Sequence, residues 1–241
     1  IKNVVIVTNK ESLQNYQNFF EDGSWLGMKL KYIVQNKPNG IADTINLSEK
    51  FLGKSNFCLM LGDNFYYGGN FSGHLLDCQK SRNKLNIFTY KVKNPNQFGV
   101  LSKKQNNYFI YEKPKNNIGN RIVTGLYFLP NKAIHISKKN SKSNRGELEI
   151  TDVLNKLMKI QKPKIYDLKR GITWMDLGSL DSLNNASDFI RLIQNISNTK
   201  IACLEEIALK NKWIKKLSRN KMINKYGNSK YYDYLCQLNC F

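Results

Sequence analysis

The chain has 241 residues, 41% of them hydrophobic and 23% charged, with a formal net charge of +20. That length suits one large core, and the lack of any apolar run of about 18 residues excludes a spanning helix. The 38 basic residues are mostly lysines, spread along the chain among asparagines, whereas phosphate and base recognition favours arginine, so nucleic acid is not the expected partner.

Taken in order, KNVVIVT (2–8) reads as a buried β-branched strand that starts almost at once. Because Ile1 stands where a natural start would show Met, the sequence reads as the inside of a longer protein. Leu13, Tyr16, Phe19 and Phe20 mark a helix over 11–20, KLKYIVQ (29–35) a strand, Ala42, Ile45 and Leu47 a helix over 41–52, and FCLMLGD (57–63) an apolar strand. Strands alternating with helices at this spacing predict a parallel sheet covered by helices. Further on, IFTYKV (87–92), 99–103, YFIYEK (108–113) and IVTGLYFL (122–129) read as strands of a mixed sheet that carries a substrate pocket. Val153, Leu154, Leu157 and Met158 predict a helix over 148–160, capped through Thr151; a strand near 164–168 and helices over 180–195 and 204–217 complete the chain. KNSKSN (139–144) is a surface loop, and the run Lys210, Lys212, Lys215, Lys216, Arg219, Lys221 and Lys225 a solvated helix face.

Five cysteines, Cys58, Cys78, Cys203, Cys236 and Cys240, form no Cys-x-x-Cys pair and cannot all pair. A reduced thiol set in a cytoplasmic protein is the expectation.

Two acids carry the candidate chemistry. Asp63 ends an apolar strand in LGDNFYYGG (61–69), and Asp176 does the same in GITWMDLGSL (171–180), where Ser179 or Asp181 can cap the following helix. Carboxylates at strand ends lie where open α/β folds bind ligands, and a hard divalent cation bound to phosphates needs such oxygens. For each acid the alternative is a turn or helix-start role. Arg145 in NRGELEITD (144–152) has donors suited to a phosphate monoester, Glu147 and Glu149 can accept from hydroxyls, and Glu112 with Lys113 pairs an acceptor with a cation.

In order, QNKPNGIADTI, LGDNFYYGG, FGV, EKP, VTGLYF, RGELEITD, WMDLG and CLEEIA span nearly the whole chain. This string resembles the glucose-1-phosphate thymidylyltransferases, the thymidylyl branch of the sugar nucleotidyltransferase family. The resemblance implies an α/β, Rossmann-like mixed sheet flanked by helices, of the nucleotide-diphospho-sugar transferase type. It also implies a family opening strand and a GGxGTRLxP loop before Ile1. Residues 1–241 are therefore expected to be a single incomplete domain missing its first strand, with a sugar-binding region over about 87–178 and a helical region over about 180–241. The implied reaction joins dTTP and glucose 1-phosphate, with Mg²⁺ as cofactor, giving dTDP-glucose and pyrophosphate. The alternatives are a remnant with no activity and a relative using another nucleotide and sugar phosphate. By resemblance Asp63 and Asp176 are the metal ligands, Gln35 and Gly40 meet the base, and Glu112 accepts from a sugar hydroxyl beside the backbone of Gly99 and Val123. Lys113 and Arg145 would clamp the sugar phosphate, and Glu147 would meet the sugar. A homo-oligomer is also implied, for which Tyr226, Tyr231, Tyr232, Tyr234 and Phe241 offer aromatic surface. Phe98 departs from the family pattern, which has Tyr before Gly-Val.

Overall fold

The computed structural model describes residues 1–81, 83–105 and 107–238, so Cys240 and Phe241 lie outside the described residues. The chain divides into two compact units, Ile1–Asn36 with Asn184–Phe241, and Lys37–Leu183.

The first unit opens with strand β1 (Asn3–Thr8), helix α1 (Lys10–Phe20) and strand β2 (Lys29–Val34). The expected absence of a first strand is therefore corrected. The β-branched run near Ile1 forms β1, which pairs in parallel with β2 from Asn3↔Lys29 to Thr8↔Val34. Asn9 caps α1 by accepting from the Ser12 N–H at 2.8 Å.

The second unit carries α2 (Ile41–Leu47), α3 (Glu49–Leu52), β3 (Phe57–Met60), β4 (Asn64–Gly68), α4 (Phe71–Lys80), β5 (Asn86–Lys91), β6 (Gly99–Lys104) and β7 (Asn107–Glu112). It continues with β8 (Arg121–Leu129), α5 (Lys132–Lys138), α6 (Ile150–Ile160), β9 (Lys164–Asp167) and β10 (Ile172–Asp176). A mixed sheet runs β7-β6-β8-β5-β9, with β3 also on β8. Among the described residues its one parallel pair is β5 with β9, whereas β3 runs antiparallel to β8, Phe57 facing Leu129. The parallel arrangement expected for the third strand is thus replaced by an antiparallel one, because the long strand β8 supplies its partner.

Strand β8 organises both cores. Val123, Tyr127 and Leu129 point into a cluster with Ala42, Ile45, Val153, Leu154 and Leu157. Their alternates Ile122 and Leu126 join Phe88, Tyr166, Ile172 and Trp174 on the other face. A strand buried on both faces reads as a continuous apolar run, as IVTGLYFL does. Each fully buried side chain of α6 contributes roughly 1.5–3 kcal/mol by leaving water.

Three local expectations change. The helix over 41–52 breaks at Ser48, which is buried and lies between α2 and α3. Thr151 lies inside α6, whose N-cap is Glu149, so it is not the cap of that helix. The strand predicted over 57–63 stops at Met60, and Asn64–Gly68 forms a further strand, β4, paired antiparallel with β10 from Asn64↔Asp176 to Gly68↔Ile172. Gly68 is required there, with φ of 140° and a Cβ position only 2.1 Å from the Gly171 carbonyl oxygen.

Helices α7 (Leu180–Ser197), α8 (Leu204–Lys210), α9 (Arg219–Tyr226) and α10 (Lys230–Gln237) complete the chain, the first unit resuming at Asn184 within α7. The last α8 turn is closed by the Trp213 N–H bonding the Ala208 carbonyl, so the helix predicted to reach 217 ends at Lys210. Buried Cys203, Leu217, Met222, Tyr234 and Leu235 form this unit's core, with Trp25, Tyr226, Tyr231 and Tyr232 packed on it. Those tyrosines cover their own unit. Part of the basic run is also not simply solvated, since the Lys225 ammonium lies 3.9 Å from the Trp25 ring centroid. Among the described residues no helix is long and apolar enough to cross a membrane.

Candidate active site

The pairing of β4 with β10 decides the geometry. Asp63 immediately precedes β4 and Asp176 ends β10, and the Leu177 N–H donates to the Asp63 carbonyl at 2.7 Å. Two acids far apart in sequence thereby come together, one at the end of β10 and one just before its partner strand β4. Burial raises the Asp176 carboxyl above the usual range, and the charge of Asp63 adds to the rise. The Gly178 N–H, which donates to Asp176 Oδ1 at 3.2 Å, and the Lys113 charge act the other way. Ser179 caps the following helix as expected, its hydroxyl accepting from the Ser182 N–H at 3.2 Å.

A second group gathers where β6, β7 and the start of α6 meet. Gly99 faces Glu112 across β6 and β7, and a Cβ on Gly99 would lie 3.0 Å from Ile110 and 3.1 Å from Thr151. The glycine thus lets α6 approach the strand. Burial raises the Glu112 carboxyl, with the Glu149 charge adding, while Thr151, Lys113 and Arg145 oppose the rise. Lys113 has φ of 40°, an uncommon conformation for a side-chain-bearing residue, and its N–H bonds the Phe98 carbonyl at 3.1 Å. Its charge opposes the rise of both the Glu112 and the Asp176 carboxyls.

Arg145 is surrounded by acids, at 3.5 Å from Glu112, 3.3 Å from Glu147 and 3.4 Å from Glu149. Three carboxylates on one guanidinium leave excess negative charge, a lining suited to sugar hydroxyls, which donate to carboxylates. Those contacts engage Nη1 and Nη2, and the guanidinium has further N–H donors with which to meet a phosphate.

Val123 is buried in the core and faces Thr89 in the β5–β8 pairing, so its side chain is not available to a ligand. Gly40 has φ of 102°, and a Cβ there would lie 2.5 Å from the Leu148 carbonyl oxygen. Its immediate reason for being glycine is therefore the close packing of 39–42 on Leu148, sealed by the Ala42 N–H on the Leu148 carbonyl at 3.0 Å. Gln35 belongs to the other unit, where its N–H bonds the Thr8 carbonyl at 2.9 Å. Phe98 packs edge-on to Trp174 with ring centroids 5.5 Å apart.

One residue passed over in the sequence is Asn64. It is buried, and its side chain touches Asp63, Gly125 and Trp174. A polar residue between an acid and a β-strand was its only signal.

No group of three or more His, Cys, Asp or Glu that could hold a metal is found among the described residues. Mg²⁺, however, usually takes one or two carboxylates and completes its shell with phosphates and water. Two like-charged oxygen donors brought together in this way fit that ion.

The nucleotidyl transferase family profile matches residues 1–192. The chain therefore belongs to the nucleotidyl transferase family. It is 36% identical over 240 residues to the glucose-1-phosphate thymidylyltransferase of Neisseria meningitidis serogroup A, covering 99% of this chain and 83% of that one. A Bacillus anthracis structure described as a glucose-1-phosphate thymidylyltransferase in complex with sucrose superposes with a TM-score of 0.70 and 29% identity, covering 78% of this chain and 76% of that one. A UDP-glucose pyrophosphorylase complexed with UDP-glucose shares the fold, with a TM-score of 0.67 and 19% identity over 78% of this chain and 80% of that one. By homology the chain is a sugar nucleotidyltransferase of the glucose-1-phosphate thymidylyltransferase-like kind.

Proposed function

We propose that the intact protein transfers a thymidylyl group from dTTP to glucose 1-phosphate. The observation that carries the reading is the β4–β10 pairing, which brings Asp63 and Asp176 together, in the same unit as the cluster of Glu112, Glu147 and Glu149 around Arg145. Acids suited to a phosphate-bound cation, together with carboxylates suited to hydroxyls, are what joining a sugar phosphate to a nucleotide requires.

In this reading a phosphate oxygen of glucose 1-phosphate attacks the α-phosphorus of dTTP in line. The new P–O bond forms as the α–β bridging P–O bond breaks, and pyrophosphate leaves with the electron pair. Asp63 and Asp176 hold Mg²⁺, which when bound offsets phosphate charge. Lys113 faces the sugar phosphate, and Glu112 and Glu147 accept from sugar hydroxyls beside the backbone of Gly99 and Val123. Arg145 clamps the sugar phosphate through its remaining N–H donors. Gln35 and Gly40 keep the base-recognition role that the resemblance implies. The reading also includes a homo-oligomer and a cytoplasmic location, in keeping with four described cysteines that are unpaired.

Pyrophosphate release by the intact protein, measured for dTTP, UTP, ATP, CTP and GTP against glucose 1-phosphate and other sugar phosphates, tests it. Preference for dTTP with glucose 1-phosphate supports the assignment. Preference for UTP rejects the thymidylyl assignment and keeps the reaction class.

A further inference from the structure

Asn64 is held between two N–H donors and a carboxylate. Its Oδ1 accepts from the Trp174 indole N–H at 2.7 Å and from the Gly125 backbone N–H at 2.9 Å, and the Tyr66 hydroxyl lies at 3.4 Å. Indole and backbone N–H groups only donate, so they fix which end of the amide faces them. The Nδ2 end must then face the other way, where it donates to Asp63 Oδ1 at 2.9 Å. Asn64 also sits opposite Asp176 in the β4–β10 register. Three elements therefore converge on one amide: β8 through Gly125, β10 through Trp174, and the start of β4.

We propose that Asn64 is a positioning residue, held by Trp174 and Gly125, that fixes the rotamer of Asp63 and so presents its second oxygen to the divalent cation. The proposal rests on the assignment of Asp63 as a metal ligand. A carboxylate left to rotate would have to be ordered each time the cation bound. One whose Oδ1 is already engaged offers Oδ2 in a fixed direction, and partners of this kind commonly change metal affinity 10–100-fold. Gly125 belongs to the same device, since a Cβ there would stand 2.7 Å from Asn64 Nδ2.

The test uses the intact protein with Mn²⁺ as a spectroscopic stand-in, bound metal being read from loss of the free-ion electron paramagnetic resonance signal. Four variants are titrated beside the parent: Asp63→Asn, Asn64→Ala, Trp174→Phe and Asn86→Ala. Asn86 is a fully buried asparagine of the same unit, bonded to the Lys84 carbonyl and the Ser81 hydroxyl. Its variant therefore reports loss of a buried amide as such.

Asn64→Ala should raise the Mn²⁺ midpoint about tenfold, Trp174→Phe should raise it less, and Asn86→Ala should leave it at the parent value while lowering the melting temperature. If Asp63→Asn raises the midpoint and the Asn64 and Trp174 variants do not, the positioning role is overturned and the metal assignment stands. If Asp63→Asn leaves the midpoint unchanged, the metal assignment fails and takes the positioning role with it. Should Asn64→Ala not fold, Trp174→Phe decides, because it keeps an aromatic ring and removes one donor.

Discussion

Gly125→Ala is the sharpest test of how β8 is joined to the strands bearing the two acids. The added methyl would lie 2.7 Å from Asn64 Nδ2, 2.8 Å from its Cγ and 2.8 Å from Leu61 Cδ1. Carbon atoms do not approach that closely, and the amide cannot retreat without leaving Trp174 and Asp63. Overpacking of a filled core costs about 1–3 kcal/mol, and weakening the Gly125 to Asn64 hydrogen bond costs about 1 kcal/mol more. A total of about 2–4 kcal/mol lowers the melting temperature by about 5–15 °C for a protein of this size. Gly69→Ala is the control, since a Cβ at Gly69 meets nothing within 4 Å. Thermal unfolding followed by circular dichroism compares the two. If both variants melt within a degree or two of the parent, Asn64 is not held against β8 as described.

Asp63→Asn and Asp176→Asn should each lower kcat by about 10²-fold or more, the scale for losing one electrostatic stabiliser, with the melting temperature almost unchanged; near-normal turnover removes that residue from the reaction. Glu205 is fully buried in the first unit and accepts from the Tyr226 and Tyr231 hydroxyls, both at 2.6 Å. Glu205→Ala removes the carboxylate acceptor of both hydroxyls, leaving Tyr231 only Cys203 Sγ at 3.2 Å, and should destabilise that unit by about 2 kcal/mol, while Glu205→Gln, which keeps acceptor capacity, costs less; equal denaturation midpoints for the two variants contradict this. Burial pushes the Cys58 thiol up to about 12 and raises Cys78 and Cys203. The unfolded chain loses these protons first, near ~8.5, so the stability they contribute is complete below that value and lost as pH rises toward the folded value. The melting temperature should fall steadily from about pH 8.5 upward; a constant value up to pH 11 contradicts the shift.

Strands β5 to β8 and helix α6 were legible because their apolar residues alternate, or recur at helical spacing, over stretches long enough to show a period. Asp63 and Asp176 stood out because each closes an apolar strand. Their meeting was not legible. It depends on β4, whose NFYYG has no clean alternation and ends in glycines that read as a turn, and on the close approach of Gly68 to Gly171. The direction of β3 was missed because strand, helix, strand spacing predicts parallel neighbours, whereas β8 pairs with it from the other direction. Arg145 reads in sequence as a free phosphate clamp, and only the fold shows three acids around it. Asn64 was hidden for a related reason, since its partners Gly125 and Trp174 come from distant parts of the sequence.

The most direct measurement of the central claim is the anomalous diffraction of crystals of the intact protein grown with dTTP and Mn²⁺. The account predicts an anomalous peak at about 2.1 Å from a carboxylate oxygen of Asp63 and from one of Asp176, the ligand distance of a small divalent cation, with nucleotide phosphate completing its shell. A nucleotide-bound metal ion that touches neither acid would contradict it.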